Sequence, residues 1–219
     1  MAYISIRARS TLATIDVLAA ERYDPRRAIN SGDAKTVLLG DVVNLVRRVV
    51  QPSVDIGRCL VFDTSDAREG ILSSRKSPVN GSAIGSAKKV IETRDVIISR
   101  LRPYLRQAAF VDAEMPNPER ALFVCSTEFF VLRSPDNCSI AFLVPFLLSR
   151  LVQEVLAAAQ EGGHHPRVDD ATLLTLPVPV SLLDAREAVS RNVEKAVAFY
   201  RQYERDIAEM IDYAEKAFI

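Results

Sequence analysis

The sequence predicts an α+β fold, with a mixed-sheet domain over residues 1–181 and a long helix over residues 182–219. Three observations predict it. Short apolar and β-branched runs bounded by turn residues, such as Cys59-Leu60-Val61-Phe62 and Asp95-Val96-Ile97-Ile98-Ser99, read as strands. Between Ile140 and Gln160 apolar residues recur mostly at three- and four-residue steps, the period of a helix. From Val189 onward that period becomes a regular seam with no Gly or Pro to interrupt it.

At 219 residues the prior is one large domain, or one domain with an appended helix. A hydrophobic content of 48% is ample for a core and excludes a disordered chain. Only 8 Gly and 11 Pro exclude collagen-like and low-complexity classes. Cys59, Cys125 and Cys138 are scattered and form no C-x-x-C, which supports neither a disulfide framework nor a zinc site. The N-terminus has no apolar run of signal-peptide length, and Ile140–Leu148, interrupted by Pro145, is too short to span a bilayer. The expectation is a soluble cytoplasmic protein without membrane partners.

In chain order, the first thirty residues read as an arm or short helix leading into a turn, with Ser31-Gly32-Asp33 a loop signal. Val37–Asp41 leads into Val42–Val46, which is either a short helix with an apolar face or a strand. Cys59–Phe62 is a strand, and residues 64–89 are loop-rich, with Asn80-Gly81 a turn signal. Strands are predicted at 95–99, around 108–111 and from 121 to 132. One helix is predicted from Ile140 to Gln160, with Pro145 in its first turn and Gly162-Gly163 as its C-cap. Thr172–Val180, carrying Pro177 and Pro179, reads as an edge strand or extended connector.

The seam of the last helix runs Val189, Val193, Ala196, Tyr200, Tyr203, Ile207, Met210 and Ala214, at alternating steps of four and three. That is the heptad rule for a supercoiled helix. Glu187 with Arg191, Arg205 with Glu209, and Asp212 with Lys216 add i,i+4 pairs of opposite sign. The helix would extend about 50 Å at 1.5 Å per residue. A surface helix packed on its own domain would satisfy part of this pattern; a seam this regular favours a partner helix.

Net charge is zero, with 28 Lys+Arg against 28 Asp+Glu, but the charge is segregated. From Leu72 to Ala109 the basic residues Arg75, Lys76, Lys88, Lys89, Arg94, Arg100, Arg102 and Arg106 face only Glu92 and Asp95, a local surplus of six. A basic segment of this kind is a plausible electrostatic footprint for a phosphate backbone, against the blander reading of a solvated basic face. If the segment Arg100-Leu101-Arg102-Pro103-Tyr104-Leu105-Arg106 is extended, its three guanidinium groups share a side. Such planar forks serve phosphate or a guanine edge equally well. His164-His165, before Pro166-Arg167, has no further His, Cys or carboxylate pattern to complete a metal site, and reads as a nucleic-acid or structural contact. Glu128 reads as a structural hydrogen-bonding residue or an outward polar position. The chain lacks a phosphate-binding G-x-x-x-x-G-K-[ST], a G-x-S-x-G elbow and an H-E-x-x-H. A binding module with no catalytic residues, metal or cofactor is expected.

Several segments, taken in order, resemble the specificity subunit of type I restriction-modification enzymes, in its target-recognition domain. They are Ile15-Asp16-Val17 with Ala20–Pro25, Leu38–Val43, Thr93–Pro103, Ser126–Leu132, the helix from Ile140 with Gly162–Val168, and Leu176-Pro177-Val178-Pro179 before the long helix. The pattern departs at Val180–Asp184, where the family continues with further prolines and a Glu-Gln pair. A full subunit of that family has two such domains joined by two antiparallel helices, so this chain resembles half of one. The resemblance implies a target-recognition domain followed by a dimerisation helix, forming a homodimer on double-stranded DNA. It also implies partner methyltransferase and restriction subunits that use S-adenosylmethionine and ATP, with no catalysis in this chain. On that reading Lys88, Lys89, Arg94 and Arg106 hold phosphates, and Ser74, Arg75, Lys76, Asn80, Arg100, Arg102 and His165 read bases. Tyr104 and Arg167 complete the DNA-binding set. The alternative is a protein-interaction adaptor of the same fold that does not bind DNA sequence-specifically. A small nuclease is the third and weakest reading.

Overall fold

Val96-Ile97-Ile98 and Phe129-Phe130-Val131-Leu132 are apolar at every position, which suits strands covered on both faces. The computed structural model describes residues 29, 33–160 and 166–218, and in it these two strands lie at the centre of the molecule. The elements, in order, are β1 (Thr36–Leu38), α1 (Leu39–Val42), β2 (Asn44–Leu45), β3 (Val49–Val50), β4 (Arg58–Phe62), β5 (Ala67–Arg68), β6 (Ile71–Leu72), β7 (Val79–Asn80), β8 (Lys88–Val90), β9 (Val96–Ser99), β10 (Ala108–Phe110), β11 (Leu122–Ser126) and β12 (Phe129–Arg133). Then follow α2 (Leu143–Leu147), α3 (Arg150–Ala158), α4 (Asp170–Leu174), β13 (Pro177–Pro179), α5 (Val180–Asp184) and α6 (Arg186–Lys216).

A five-stranded sheet runs β3-β8-β11-β4-β7 and a four-stranded sheet runs β10-β9-β12-β2. β1-β13 and β5-β6 form separate two-stranded sheets, the second joined to β10 through Gly70, whose N–H donates to the Ala108 carbonyl at 2.8 Å. The β11–β4 pairing is parallel and the other pairings in both sheets are antiparallel, so the α+β class with a mixed sheet is observed. Side-chain alternation divides the core between layers. Val96, Ile98, Phe130 and Leu132 face α2, α3 and the β1-β13 pair, while Ile97, Phe129 and Val131 face Leu60, Phe62 and Cys125. Cys59 and Val124 point to the far face of the larger sheet with Ile84.

Several local expectations need revision. The strand predicted from 121 to 132 is two strands in different sheets, divided by a turn at Thr127-Glu128. The helix predicted from 140 to 160 is also two, because Ser149 caps α3 by accepting the Val152 N–H. Within the loop-rich stretch 64–89, Gly81 is required by close approach: a Cβ there would overlap Ile56 and the Ser53 carbonyl oxygen. The connector 172–180 divides between α4 and β13, whose prolines sit on a two-stranded edge pair. The arm read in the first thirty residues and the glycine C-cap at 162–163 lie outside the described residues, apart from Ile29.

The 31-residue helix α6 has two regimes. Its first half packs on the domain through Val189, Val193 and the buried Ser190, Val197 and Arg201. The Ser190 hydroxyl accepts the Phe142 N–H at 3.1 Å. Beyond Arg205 every described residue of the helix is exposed, including Ile207, Met210, Ile211 and Tyr213. Among the described residues no helix is long and apolar enough to cross a membrane.

Candidate nucleic-acid interface

Three of the predicted cations meet at one place. Lys89 on β8 donates from Nζ to the Phe129 carbonyl at 2.6 Å. Its ammonium and the Arg100 guanidinium lie 6.0 and 5.2 Å from the centre of the Phe130 ring. Arg100 follows β9 and donates from Nε to the Val168 carbonyl at 3.3 Å, while the Val168 N–H returns to the Arg100 carbonyl at 2.9 Å. The antiparallel bridge between Leu101 and Arg167 brings Arg167 alongside. Arg167 grips Glu128 in a two-pronged bond, Nη2 to Oε1 at 2.6 Å and Nε to Oε2 at 2.9 Å.

The turn that divides β11 from β12 therefore carries the acidic partner of this cluster. Hydrogen bonding from Arg167 holds the Glu128 carboxyl below the ordinary carboxylate range, and Arg100 and Lys89 act in the same direction. Burial pushes the Lys89 ammonium below the ordinary lysine range. Arg47, 2.6 Å from Asp170, lies within electrostatic reach of Lys89. Four cations (Arg47, Lys89, Arg100, Arg167) face two carboxylates (Glu128, Asp170), a local surplus of two. Sequence reasoning missed Arg47 because it sits before the basic window, although the Arg47-Arg48 doublet was a visible signal.

The extended presentation considered for Arg100, Arg102 and Arg106 is not what forms. Arg102 (φ 45°) and Arg106 (φ 52°) are both left-handed and bracket a 3₁₀ turn at Pro103–Leu105. Pro103 cannot extend a ladder, and its fixed φ suits the first position of the turn. Arg106 reaches back to the Leu148 carbonyl at 2.9 Å and to Glu69 at 3.4 Å. Arg102 and Tyr104, the latter 69% exposed, are left at the turn. The Arg102 side chain makes no hydrogen bond or ion pair among the described residues.

Other predicted residues lie elsewhere. Lys88 alternates away from Lys89, is buried, and donates to Ser86 Oγ at 2.7 Å. Arg94, left-handed at φ 77°, donates to the Asn137 carbonyl at 3.2 Å and lines a cleft against α6 with Arg191 and Lys195. Lys76 pairs with Asp66 at 2.6 Å. The exposed Arg75 lines a second cleft with Arg68, Tyr200 and Glu204. His165 lies outside the described residues. Arg75, Lys76, Lys88 and Arg94 therefore have contacts separate from the Lys89–Arg100–Arg167 cluster.

Along the predicted seam, Val189 and Val193 are half-buried against the domain. Ala196, Tyr200, Tyr203, Ile207 and Met210 are exposed. No group of three or more His, Cys, Asp or Glu among the described residues could hold a metal ion. Burial pushes the Cys125 thiol up to about 12, and Cys59 is raised for the same reason.

No protein-family model and no curated protein matches the sequence. Solved structures do match. One, described as "Structural basis underlying complex assembly and conformational transition of the type I R-M system", superimposes with a TM-score of 0.56 and 26% identity over 84% of this chain and 47% of its own. The HsdS subunit from Thermoanaerobacter tengcongensis superimposes with a TM-score of 0.54 and 24% identity, over 83% of this chain and 45% of its own. This chain spans about half the length of the chains it matches. The resemblance to type I specificity subunits read from the motif order and the likeness of the folds therefore agree over most of the chain.

Proposed function

We propose that this chain is the non-catalytic DNA-recognition subunit of a type I-like restriction-modification system, acting in the cytoplasm. It binds double-stranded DNA sequence-specifically through its mixed-sheet domain, residues 1–181. Through the helix that follows it pairs with a second copy and with methyltransferase and restriction subunits. The observation that carries the proposal is the fold shared with a type I restriction-modification chain over 84% of this one. The Arg47–Lys89–Arg100–Arg167 surplus and the exposed pair Arg102 and Tyr104 supply the charge and planar groups that DNA contacts use. The exposed run Tyr203, Ile207, Met210 supplies the apolar face for a partner helix.

A second reading, the adaptor that does not read DNA, draws support from one feature. Arg167, Lys76, Arg106 and Arg47 each face a carboxylate within the chain, which reduces the charge offered to phosphate. The two readings separate on selection from a random duplex pool with the purified chain. Enrichment of a site with two related halves at fixed spacing is expected. A chain that enriches nothing, alone or with its methyltransferase partner, and whose DNA affinity does not vary with salt, is the adaptor. Within the recognition reading, Arg102→Ala weakens DNA binding; unchanged affinity across several salt concentrations removes Arg102 from the interface.

A further inference from the structure

The loop after β6 is held from the side of the long helix. Arg201, 2% exposed, donates from Nη2 to the Leu72 carbonyl at 2.6 Å, at the start of that loop, and to Asp112 Oδ2 at 2.8 Å. Its Nη1 donates to Glu204 Oε2 at 2.7 Å. The other oxygen of Glu204 accepts the Ser74 hydroxyl at 2.8 Å. One carboxylate of α6 thus joins the buried arginine of its own helix to the loop. Ser73 is fixed from the domain side, its N–H donating to the Asp66 carbonyl at 2.8 Å, and Lys76 pairs with Asp66. Arg75 stands between these ties and shares a cleft with Tyr200 and Glu204.

Tyr200 belongs both to that cleft and to the exposed seam, 40% exposed, so the partner-facing side of α6 adjoins the loop carrying Arg75. A hydrogen bond between charged and neutral partners, partly shielded from water, is worth more than an exposed one. Glu204, whose side chain is 14% exposed, has that setting.

We infer that Arg201 and Glu204 are positioning residues that set the loop Ser73–Lys76 from α6, so that helix geometry and DNA reading are coupled through the Glu204–Ser74 bond. The inference rests on the recognition reading above for its consequence at DNA, but the clamp itself is testable without DNA. Glu204→Ala removes the carboxylate and leaves the Arg201–Asp112 pair and the Lys76–Asp66 pair in place. In the full-length protein the Arg75 and Lys76 amides are expected to exchange about tenfold faster with solvent, with β9 and β12 amides unchanged. Ser74→Ala opens the same bond from the loop side and should reproduce the effect, and it serves if Glu204→Ala fails to fold. Ser74→Thr keeps a donor hydroxyl and should restore wild-type exchange.

In duplex selection the Glu204→Ala protein is expected to lose preference at one base position of each half-site while the salt dependence of binding stays that of wild type. Unchanged loop exchange in both Glu204→Ala and Ser74→Ala overturns the clamp. Faster exchange with an unaltered site preference overturns the coupling to DNA reading. If the wild-type protein itself selects no sequence, the recognition reading fails, and the exchange comparison alone decides whether the helix positions the loop.

Discussion

Arg201 on α6 and Asp112, two residues beyond the end of β10, form a buried ion pair with a 2.8 Å contact, their side chains 2% and 8% exposed. The heptad pattern places Arg201 next to a seam tyrosine, and by sequence alone it counts as one more surface charge. Folded, it is the largest fully buried side chain among the described residues and fastens the helix to the domain. A buried pair of this kind contributes little net stability compared with a well-packed apolar pair, and with Asp112 removed Arg201 would keep Glu204 and the Leu72 carbonyl but leave buried donors unpaired.

Asp112→Ala should therefore lower unfolding free energy by about 1–3 kcal/mol, the cost of unpaired buried donors on an arginine that keeps Glu204 as its counter-ion. The double replacement Arg201→Met with Asp112→Leu should recover only part of that loss, since Glu204 and the Leu72 carbonyl lose their donor. Urea unfolding of the two variants measures both, and a loss under about 1 kcal/mol for Asp112→Ala would show that the pair contributes no such constraint.

Glu128 gives the protein an acid-sensitive contact. Its carboxyl is depressed by the Arg167 hydrogen bonds. A depressed carboxylate contributes stability that is fully present above the unfolded value, about 4.3, and is lost as pH falls through the lower folded value. The urea midpoint of the wild-type protein should fall more steeply from pH 5 to pH 3 than that of Glu128→Gln. Parallel profiles would mean that the Arg167 contact carries no pH-dependent stability.

Arg100 lies over Phe130 and sits in the cationic cluster, so the DNA role proposed for it can be tested by salt. Arg100→Ala should weaken binding and reduce the slope of log affinity against log salt by about 1 if the guanidinium neutralises one phosphate. A base-reading Arg100 would instead relax specificity at one position, and site selection with the variant distinguishes the two.

If α6 pairs with a second copy as proposed, the part of it beyond Arg205 should decide association without deciding folding. Ile207→Glu changes a residue that is 42% exposed, on the stretch beyond Arg205 where every described residue of the helix is exposed. Self-association measured by sedimentation should be lost while the melting temperature of the domain moves little. A variant that stays associated would place the contact elsewhere.

Gly81→Ala should destabilise by about 1–3 kcal/mol, since the added methyl has no room beside Ile56 and the Ser53 carbonyl. Thermal unfolding measures this. An unchanged midpoint would show that the loop from Ser53 to Gly57 yields without cost.

Much of the fold was legible in the sequence because its signals are local. The β-branched run at 96–98, the heptad steps from Val189 and the turn residues around 64–89 each depend on neighbours within a few positions. Two elements were misread for the same reason. Leu122–Ser126 and Phe129–Arg133 look like one apolar strand because the period does not reveal that Thr127-Glu128 turns the chain from one sheet into another. Ser149 looks like one polar residue in a helix until its hydroxyl is seen capping the next one.

The sequence by itself determined the α+β class, the long terminal helix with its apolar seam, and the segregation of basic residues into one stretch of a neutral chain. Tertiary structure alone decided which of those cations meet. Lys88 and Lys89, adjacent in sequence, point to opposite sides of a strand, and Arg102 and Arg106, themselves left-handed, bracket a proline turn and leave the extended line of Arg100. Arg167 and Arg47 join Lys89 and Arg100 from distant positions because a strand bridge and a carboxylate hold them there. Charge in a sequence is a list along a line, whereas the field at a surface depends on distances in space. Which carboxylate stands within 3 Å of each arginine is fixed only when the chain has folded.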